Sequence, residues 1–157
     1  MGGSMTRPPL IRPYSASDAE AIVQVIVGYR AEDHGRVADS DAIGAALASF
    51  ASSTQDRILV AELAGELVGY VAFHFVPFPM LQGLEVYISD LLVAADARGT
   101  GVGSLLLQSV ETEARARGSV RLMLNNHKTD ASYIRGFYRN HEFRERDDFA
   151  NFVKLLR

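Results

Sequence analysis

Apolar positions in this chain recur at two spacings, and the spacing marks the elements. Leu10-Ile11-Arg12, after Pro8-Pro9, predicts a first strand. Ile22, Val25, Ile26 and Tyr29 recur every three or four residues, which predicts a helix opened by the capping box Ser17-Asp18-Ala19-Glu20. A second helix is predicted from Ser40 or Asp41, burying Ile43, Leu47 and Phe50. Arg57 to Leu63 and Leu67 to Phe75 read as a hairpin around Ala64-Gly65-Glu66. Val76 to Gly83, with two prolines, reads as a loop, and Glu85 to Val93 as the next strand. Val102, Leu105, Leu106, Val110 and Ala114 give the longest helix, stopped by Gly118 after Arg115 and Arg117. Val120 to Leu124 is a short strand. Asp130 opens a helix to about Asn140, with Ile134, Phe137 and Tyr138 on one face. Phe143-Arg144-Glu145 and Phe149 to Leu155 read as a closing hairpin around Asp147-Asp148. This order predicts an α/β (α+β) fold: a mixed, mostly antiparallel sheet of six to seven strands flanked by about four helices.

Composition narrows the classes. The 157 residues suit one domain, read as 5–157, with Met1-Gly2-Gly3-Ser4 before Met5 read as a cloning remnant. Apolar residues make up 48% and charged residues 22%, the balance of a globular protein. A net charge of −3 without a basic patch argues against nucleic acid and suits, weakly, a cationic acceptor. There is no cysteine, which excludes disulfides, thiolate metal sites and a cysteine nucleophile. His34, His127 and His141 have no metal-site spacing. The apolar stretch from Leu67 to Leu81 is too short to span a bilayer and no signal peptide is read, so the expected setting is cytoplasmic. Glu32, Asp33, Asp39 and Asp41 make the first interhelical loop acidic, as a solvated connection or as one wall of an acceptor pocket.

The chemistry concentrates between Asp90 and Ser104. An apolar strand ends at Leu91-Leu92-Val93, and Arg98-Gly99-Thr100-Gly101-Val102-Gly103-Ser104 leads into the long helix. Backbone amides at a helix N-terminus lack internal partners and, with the helix dipole, attract phosphate. The glycines let a diphosphate approach closely, and Arg98 adds a guanidinium. No Lys precedes Ser104, so this is no P-loop. The glycines run G-x-G-x-G rather than G-x-G-x-x-G, so it is no dinucleotide loop either.

Arg98, Gly101 and Gly103 instead fit R-x-x-G-x-G. With the strand before and the helix after, this resembles the acyl-CoA loop of the GNAT superfamily of N-acetyltransferases. A second stretch agrees. Ala131-Ser132-Tyr133-Ile134-Arg135-Gly136-Phe137-Tyr138-Arg139-Asn140-His141-Glu142-Phe143 is similar to the family's N-x-x-A-I-x-F-Y-x-x-x-G-F at Phe137, Tyr138 and Phe143. It departs at Ala131 and Glu142, where Asn and Gly are usual. The resemblance extends from Leu10 to Leu156, and the layout is most similar to the small-amine enzymes typified by spermidine/spermine N-acetyltransferase. Those carry a Glu-Asp pair where this chain has Ser89-Asp90.

The resemblance implies acetyl-CoA as co-substrate, no metal, a primary amine on a small molecule as acceptor, and a homodimer. It places the pantetheine arm against backbone groups of Leu91, Leu92 and Val93, with the Leu92 amide polarising the thioester carbonyl. It places the diphosphate on Arg98, Gly99, Thr100, Gly101, Val102, Gly103 and Ser104, and adds Phe137 and Arg139 to the cofactor-binding set. Tyr138 is the expected proton donor, since a phenol near pKa 10 can protonate a thiolate near 8.5. The base that deprotonates the acceptor is Asp90, Glu85, His74 or a water chain. A protein or peptide amine, or a binding module without catalysis, is an alternative reading.

Overall fold

The sheet is set by one tight turn. Ala64 and Gly65 both take positive φ (54° and 87°), the mirror-image turn whose twist matches a hairpin. The computed structural model describes residues 8–32 and 37–156. The turn joins β2 (Asp56–Leu63) to β3 (Glu66–Phe78). Around this pair the five-stranded sheet runs β1-β2-β3-β4-β5, with β1 (Leu10–Pro13), β4 (Gly83–Val93) and β5 (Arg121–Leu124). Neighbours are antiparallel except β4 and β5, which are parallel.

Alternation along the strands loads both faces of the sheet. Ile58, Val60, Tyr70 and Ala72 pack under α1 (Ala19–Glu32) and α2 (Ser40–Phe50), against Ile22, Val23, Val25 and Leu47. Leu59, Ala61, Val71, Phe73 and Phe75 are buried on the other face. There α3 (Val102–Ala116) packs with Val102, Leu106, Leu107, Val110 and Ala114 buried. Leu107 rather than the expected Leu105 completes that stripe. No helix among the described residues is long and apolar enough to cross a membrane.

Several boundaries differ from the sequence reading. The expected loop at Val76 is strand as far as Phe78, Pro77 included. The Phe75 amide bonds Gln55 on the β2 side, so the nitrogen of Pro77 faces the same way, beyond the start of β2, where no ladder donor is required. The first helix is entered through a 3-10 turn, Ala16–Asp18. The capping box is Ser15 with Asp18, whose Oδ2 accepts the Ser15 amide at 2.7 Å. Asp39 caps α2 by accepting the Ala42 amide at 3.0 Å. Asp33 and His34 lie outside the described residues.

Asp18, itself buried, also anchors a half-buried ionic cluster. Arg12 grips it bidentately at 2.7 and 2.8 Å and donates to Glu62 at 2.9 Å. The Arg12 guanidinium holds the Asp18 carboxyl down to about 2, with the Ser15 hydrogen bonds helping and burial opposing. A depressed carboxylate stabilises the fold above its unfolded pKa and loses that contribution as pH falls through the folded value. About 2 kcal/mol is therefore expected to disappear between pH 4 and 2. Urea melts across that window should show the loss in wild type and a flatter profile in Asp18→Asn. Identical profiles refute it.

The chain divides into two compact units at Asn125/Asn126. In the second unit, the single helix expected from Asp130 to Asn140 is two short ones, α4 (Ala131–Ile134) and α5 (Phe137–Asn140). Gly136, at φ 71°, breaks it, and Ile134 is left exposed. The closing hairpin is absent. Residues 143–156 carry no strand, and Phe152, Val153, Leu155 and Leu156 are exposed. Among the described residues the sheet therefore has five strands rather than six or seven, and there are five α-helices rather than about four. The Phe143 amide instead bonds the Tyr138 carbonyl at 3.0 Å, closing α5 where a strand was expected. Glu142 takes φ 65° in that closure, at the position where the family's glycine is usual.

Candidate active site

Two β-bulges build this site. A two-residue turn alone would set Gln55 opposite His74. A register slip between Ala61 and Glu62 moves Asp56 into that place. A second slip, at Ala72/Phe73, pairs Ala72 with Asp90 and Phe73 with Ile88, leaving Ser89 out of the ladder. His74 then pairs with Tyr87. Ile88 also makes the last contact with β5, against Leu124. Ser89 is thus the first residue of β4 past the fork where β4 and β5 separate.

The side chains meet there. His74 Nδ1 lies 2.7 Å from Asp56 Oδ1, and His74 Nε2 lies 2.9 Å from Ser89 Oγ. Asp56 is further bound by the Ser53 hydroxyl at 2.6 Å and the Ser53 Oγ accepts the Asp56 amide at 2.9 Å. The Ser53 hydroxyl, then His74, holds the Asp56 carboxyl below the usual range, so it stays an acceptor. An ionised Asp56 accepts a hydrogen bond from Nδ1–H and so leaves Nε2 as the ring nitrogen that can accept from Ser89. Tyr87 stacks on the imidazole with ring centres 6.3 Å apart, and Phe50 of α2 tilts against it at 5.6 Å. His74 is 27% and Asp56 40% exposed, so solvent reaches the pair.

The expected bases fare unequally. Glu85 is 3% exposed and its carboxylate is held in an ion pair by Arg121 of β5. It is enclosed and its charge is balanced by Arg121, an arrangement that serves the β4–β5 contact. Asp90 follows the bulge and pairs with Ala72 of β3, and its Oδ2 accepts the Tyr70 phenol at 3.2 Å. Desolvation raises its pKa against the pull of Tyr70, His74 and Arg30, and a raised carboxylate is a better base. Asp90 in turn raises the pKa of Tyr70, after burial.

Past the fork, strand parity decides which backbone groups face the opening. Ala94 donates to Val68 on the β3 side, and the Leu92 carbonyl lies against Gly69 of β3. Leu92 therefore turns its backbone to β3, and Leu91 and Val93 turn theirs to the free edge. The amide expected to meet the thioester, that of Leu92, thus faces β3, and those of its neighbours face the edge. Gly69 makes the close approach possible, since a Cβ there would stand 2.8 Å from the Leu92 oxygen.

The loop that follows is open. Gly99 and Gly101 take φ 78° and 87°, and nothing lies within 4 Å of where their Cβ atoms would stand. Gly101 heads α3, and no side chain caps the helix there. Thr100 Oγ1 donates to the Ala97 carbonyl at 2.6 Å, which fixes the loop. Arg98 does not reach over the loop. It binds Glu32 at 2.7 Å and the Val93 carbonyl at 3.0 Å.

In the second unit, Tyr138 packs edge-on against Phe137 at 5.0 Å and Phe143 at 5.7 Å. Arg139 binds Glu145 at 3.1 Å and the Tyr133 phenol at 3.2 Å, so its guanidinium is engaged. Lys128 joins the same carboxylate, and these partners hold Glu145 down to about 2.

Sequence reasoning missed Asp56, read as loop, and read Ser89 only as a lost glutamate. The hairpin register could have brought Asp56 near His74, but not the slip that pairs them.

Residues 23–143 match the model of the acetyltransferase (GNAT) family. The chain is 28% identical over 145 residues to uncharacterized N-acetyltransferase YhfO of Bacillus subtilis strain 168, covering 90% of this chain and 94% of that protein. Its fold is similar to ribosomal-protein-alanine N-acetyltransferase of Brucella melitensis, with TM-score 0.72, 20% identity and coverage of 94% and 99%. It is also similar to the aminoglycoside acetyltransferase meta-AAC0020 from an uncultured soil metagenomic sample, in complex with sisomicin, with TM-score 0.74, 18% identity and coverage of 95% and 97%.

Proposed function

The chain belongs to the acetyltransferase (GNAT) family, and on that premise we propose that it transfers an acetyl group from acetyl-CoA directly to a primary amine of a small molecule. The observation that carries the reading is the fork. Where β4 leaves β5, the amides of Leu91 and Val93 line a free edge, and β4 runs on into a glycine loop at the uncapped start of α3. That arrangement suits a thioester held along β4 with its diphosphate on the amides of Val102, Gly103 and Ser104. The positive-φ glycines leave the space such a group needs. Arg98 reaches it by exchanging Glu32 for phosphate. The Arg98–Glu32 pair is exposed and of a kind worth at most about 1 kcal/mol, so the exchange is cheap. Leu91 or Val93 supplies the amide for the thioester carbonyl. Tyr138 is the donor for the departing thiolate. Absence of cysteine favours direct transfer over a thioester-linked enzyme intermediate.

The acceptor class rests on less. An aminoglycoside enzyme and a ribosomal-protein enzyme share the fold, and fold does not choose between them. The overall order of elements, most similar to the small-amine enzymes, favours the former class, while Ser89 departs from the glutamate those enzymes carry. Two measurements test the reading. Acetyl-CoA at about 100 times its Kd is expected to add roughly 2.7 kcal/mol, a melting shift of several degrees, and ATP or NAD none. Thiol release is then followed with propylamine, spermidine, an aminoglycoside and an Ala-initiated peptide. Turnover is expected with the small amines, falling by about 100-fold in Tyr138→Phe. Binding without turnover on any amine, in wild type and Tyr138→Phe alike, makes the chain a binding module. Turnover of the peptide alone makes it a protein acetyltransferase.

A further inference from the structure

We propose that Asp56, His74 and Ser89 form the proton exit for the acceptor amine, with Ser89 as the group that meets the substrate and His74 as the base behind it. The proposal rests on the acetyltransfer reading above and names the part of that site which takes up the proton.

Three observations converge. Ser89 is the residue expelled from the ladder by the β3/β4 bulge, at the first position past the fork. The thioester carbon and the attacking nitrogen have to meet beside that position if the acyl group lies along the free edge of β4. The Ser89 hydroxyl has two acceptors within reach, His74 Nε2 at 2.9 Å and the Ala72 carbonyl at 3.3 Å. It can therefore donate to a neutral imidazole, and turn to the carbonyl once the imidazole is charged. Asp56 fixes the tautomer that makes the first arrangement possible.

The step balances as a relay. An alkyl ammonium gives one N–H proton to Ser89 Oγ while the Ser89 proton passes to His74 Nε2. The nitrogen recovers its lone pair and serine remains a neutral alcohol. His74 becomes an imidazolium whose Nδ1 keeps its proton and donates it in a hydrogen bond to the Asp56 carboxylate. Both partners touch solvent, which takes the proton away. Neither rival base has this arrangement. Glu85 is sealed against Arg121, and Asp90 is bound by the Tyr70 phenol. His74 and Ser89 are catalytic residues in this scheme and Asp56 a positioning residue.

The test exploits acceptor basicity. At pH 7 on the order of one alkylamine in a thousand is neutral, so its proton has to be removed. An alkoxyamine, with oxygen in place of the adjacent methylene, has nearly the same shape and is already neutral. With acetyl-CoA as donor, propylamine and its isostere O-ethylhydroxylamine are compared by thiol release at pH 7. His74→Ala and Ser89→Ala are expected to lower kcat for the alkylamine by about 100-fold or more, and for the alkoxyamine by less than about tenfold. Asp56→Asn should show the same split at smaller size, with KM unchanged. The acetyl-CoA melting shift serves as the folding control and should be retained. Equal losses on the two acceptors, or wild-type rates in His74→Ala, overturn the relay while leaving acetyl transfer intact. An acetyl adduct on Ser89 in the intact mass also overturns it, since serine would then be a nucleophile. A wild type that binds acetyl-CoA and turns over neither amine brings down the acetyltransfer reading, and the relay with it.

Discussion

Arg121→Ala is expected to cost about 3–5 kcal/mol of stability and on the order of 10 °C in Tm. The reason is asymmetric exposure. The Glu85 side chain is 4% exposed and that of Arg121 is 34% exposed. Removing Arg121 leaves a carboxylate enclosed with no counter-charge. Removing Glu85 leaves a guanidinium that can turn to solvent and to the Phe78 ring, 5.6 Å away. Glu85→Gln should therefore be milder, and Glu85→Leu with Arg121→Leu should recover most of the loss, because replacing both partners removes the uncompensated charge. The pair also holds the short parallel contact between β4 and β5, four residues on each strand, that fixes where the fork opens. Thermal melts of the three variants check this. An Arg121→Ala protein as stable as wild type would show that Glu85 is not confined by its surroundings.

Gly101→Asp is expected to leave the fold standing and to weaken acetyl-CoA binding by about 100-fold or more. The two effects separate because they have different causes. At φ 87° any side chain is strained by about 1–2 kcal/mol, Asp being among the most tolerant, and nothing crowds the Cβ position. A carboxylate at the head of α3 sits where the proposed diphosphate would lie. Two like charges about 4 Å apart repel by roughly 4 kcal/mol at a partly exposed site before screening by salt. Each tenfold in Kd takes about 1.4 kcal/mol, so a loss of two decades is within that figure. Titration calorimetry with acetyl-CoA reads the affinity and a thermal melt reads the fold. Gly101→Ala is the control, carrying the strain without the charge. Equal affinities for the Asp and Ala variants would place the diphosphate elsewhere.

Much of this protein was legible before any coordinates, and for a common reason. The first two helices, the hairpin, β4 and α3 each depend on features local in sequence: apolar spacing, caps, two turn residues, a glycine stop. So does the glycine loop, because an uncapped helix start behind flexible residues is a property of a few consecutive positions. What failed depended on partners far along the chain. The tail from Phe149 to Leu155 has strand composition, yet composition does not supply the neighbouring backbone that makes a strand. Glu85 reads as a free carboxylate until the parallel pairing brings up Arg121 from 36 residues away. Arg98 reads as an unengaged guanidinium until Glu32 at the end of α1 is found against it, 66 residues distant, a partner it must exchange to reach a phosphate.

The sequence by itself determined the family of elements, their order and the loop at the head of α3. Only the tertiary structure decided that Asp56, His74 and Ser89 meet. Two one-residue slips in strand register do it, one on each side of β3. A slip shifts the phase of the alternation, so that Val86 and Ile88 before the β4 bulge share a face with Leu91 after it, but in strands that are apolar on both faces the shift is hidden in a continuous apolar run. Its position is chosen by packing of whole strands, and that choice places a carboxylate, an imidazole and a hydroxyl in one line.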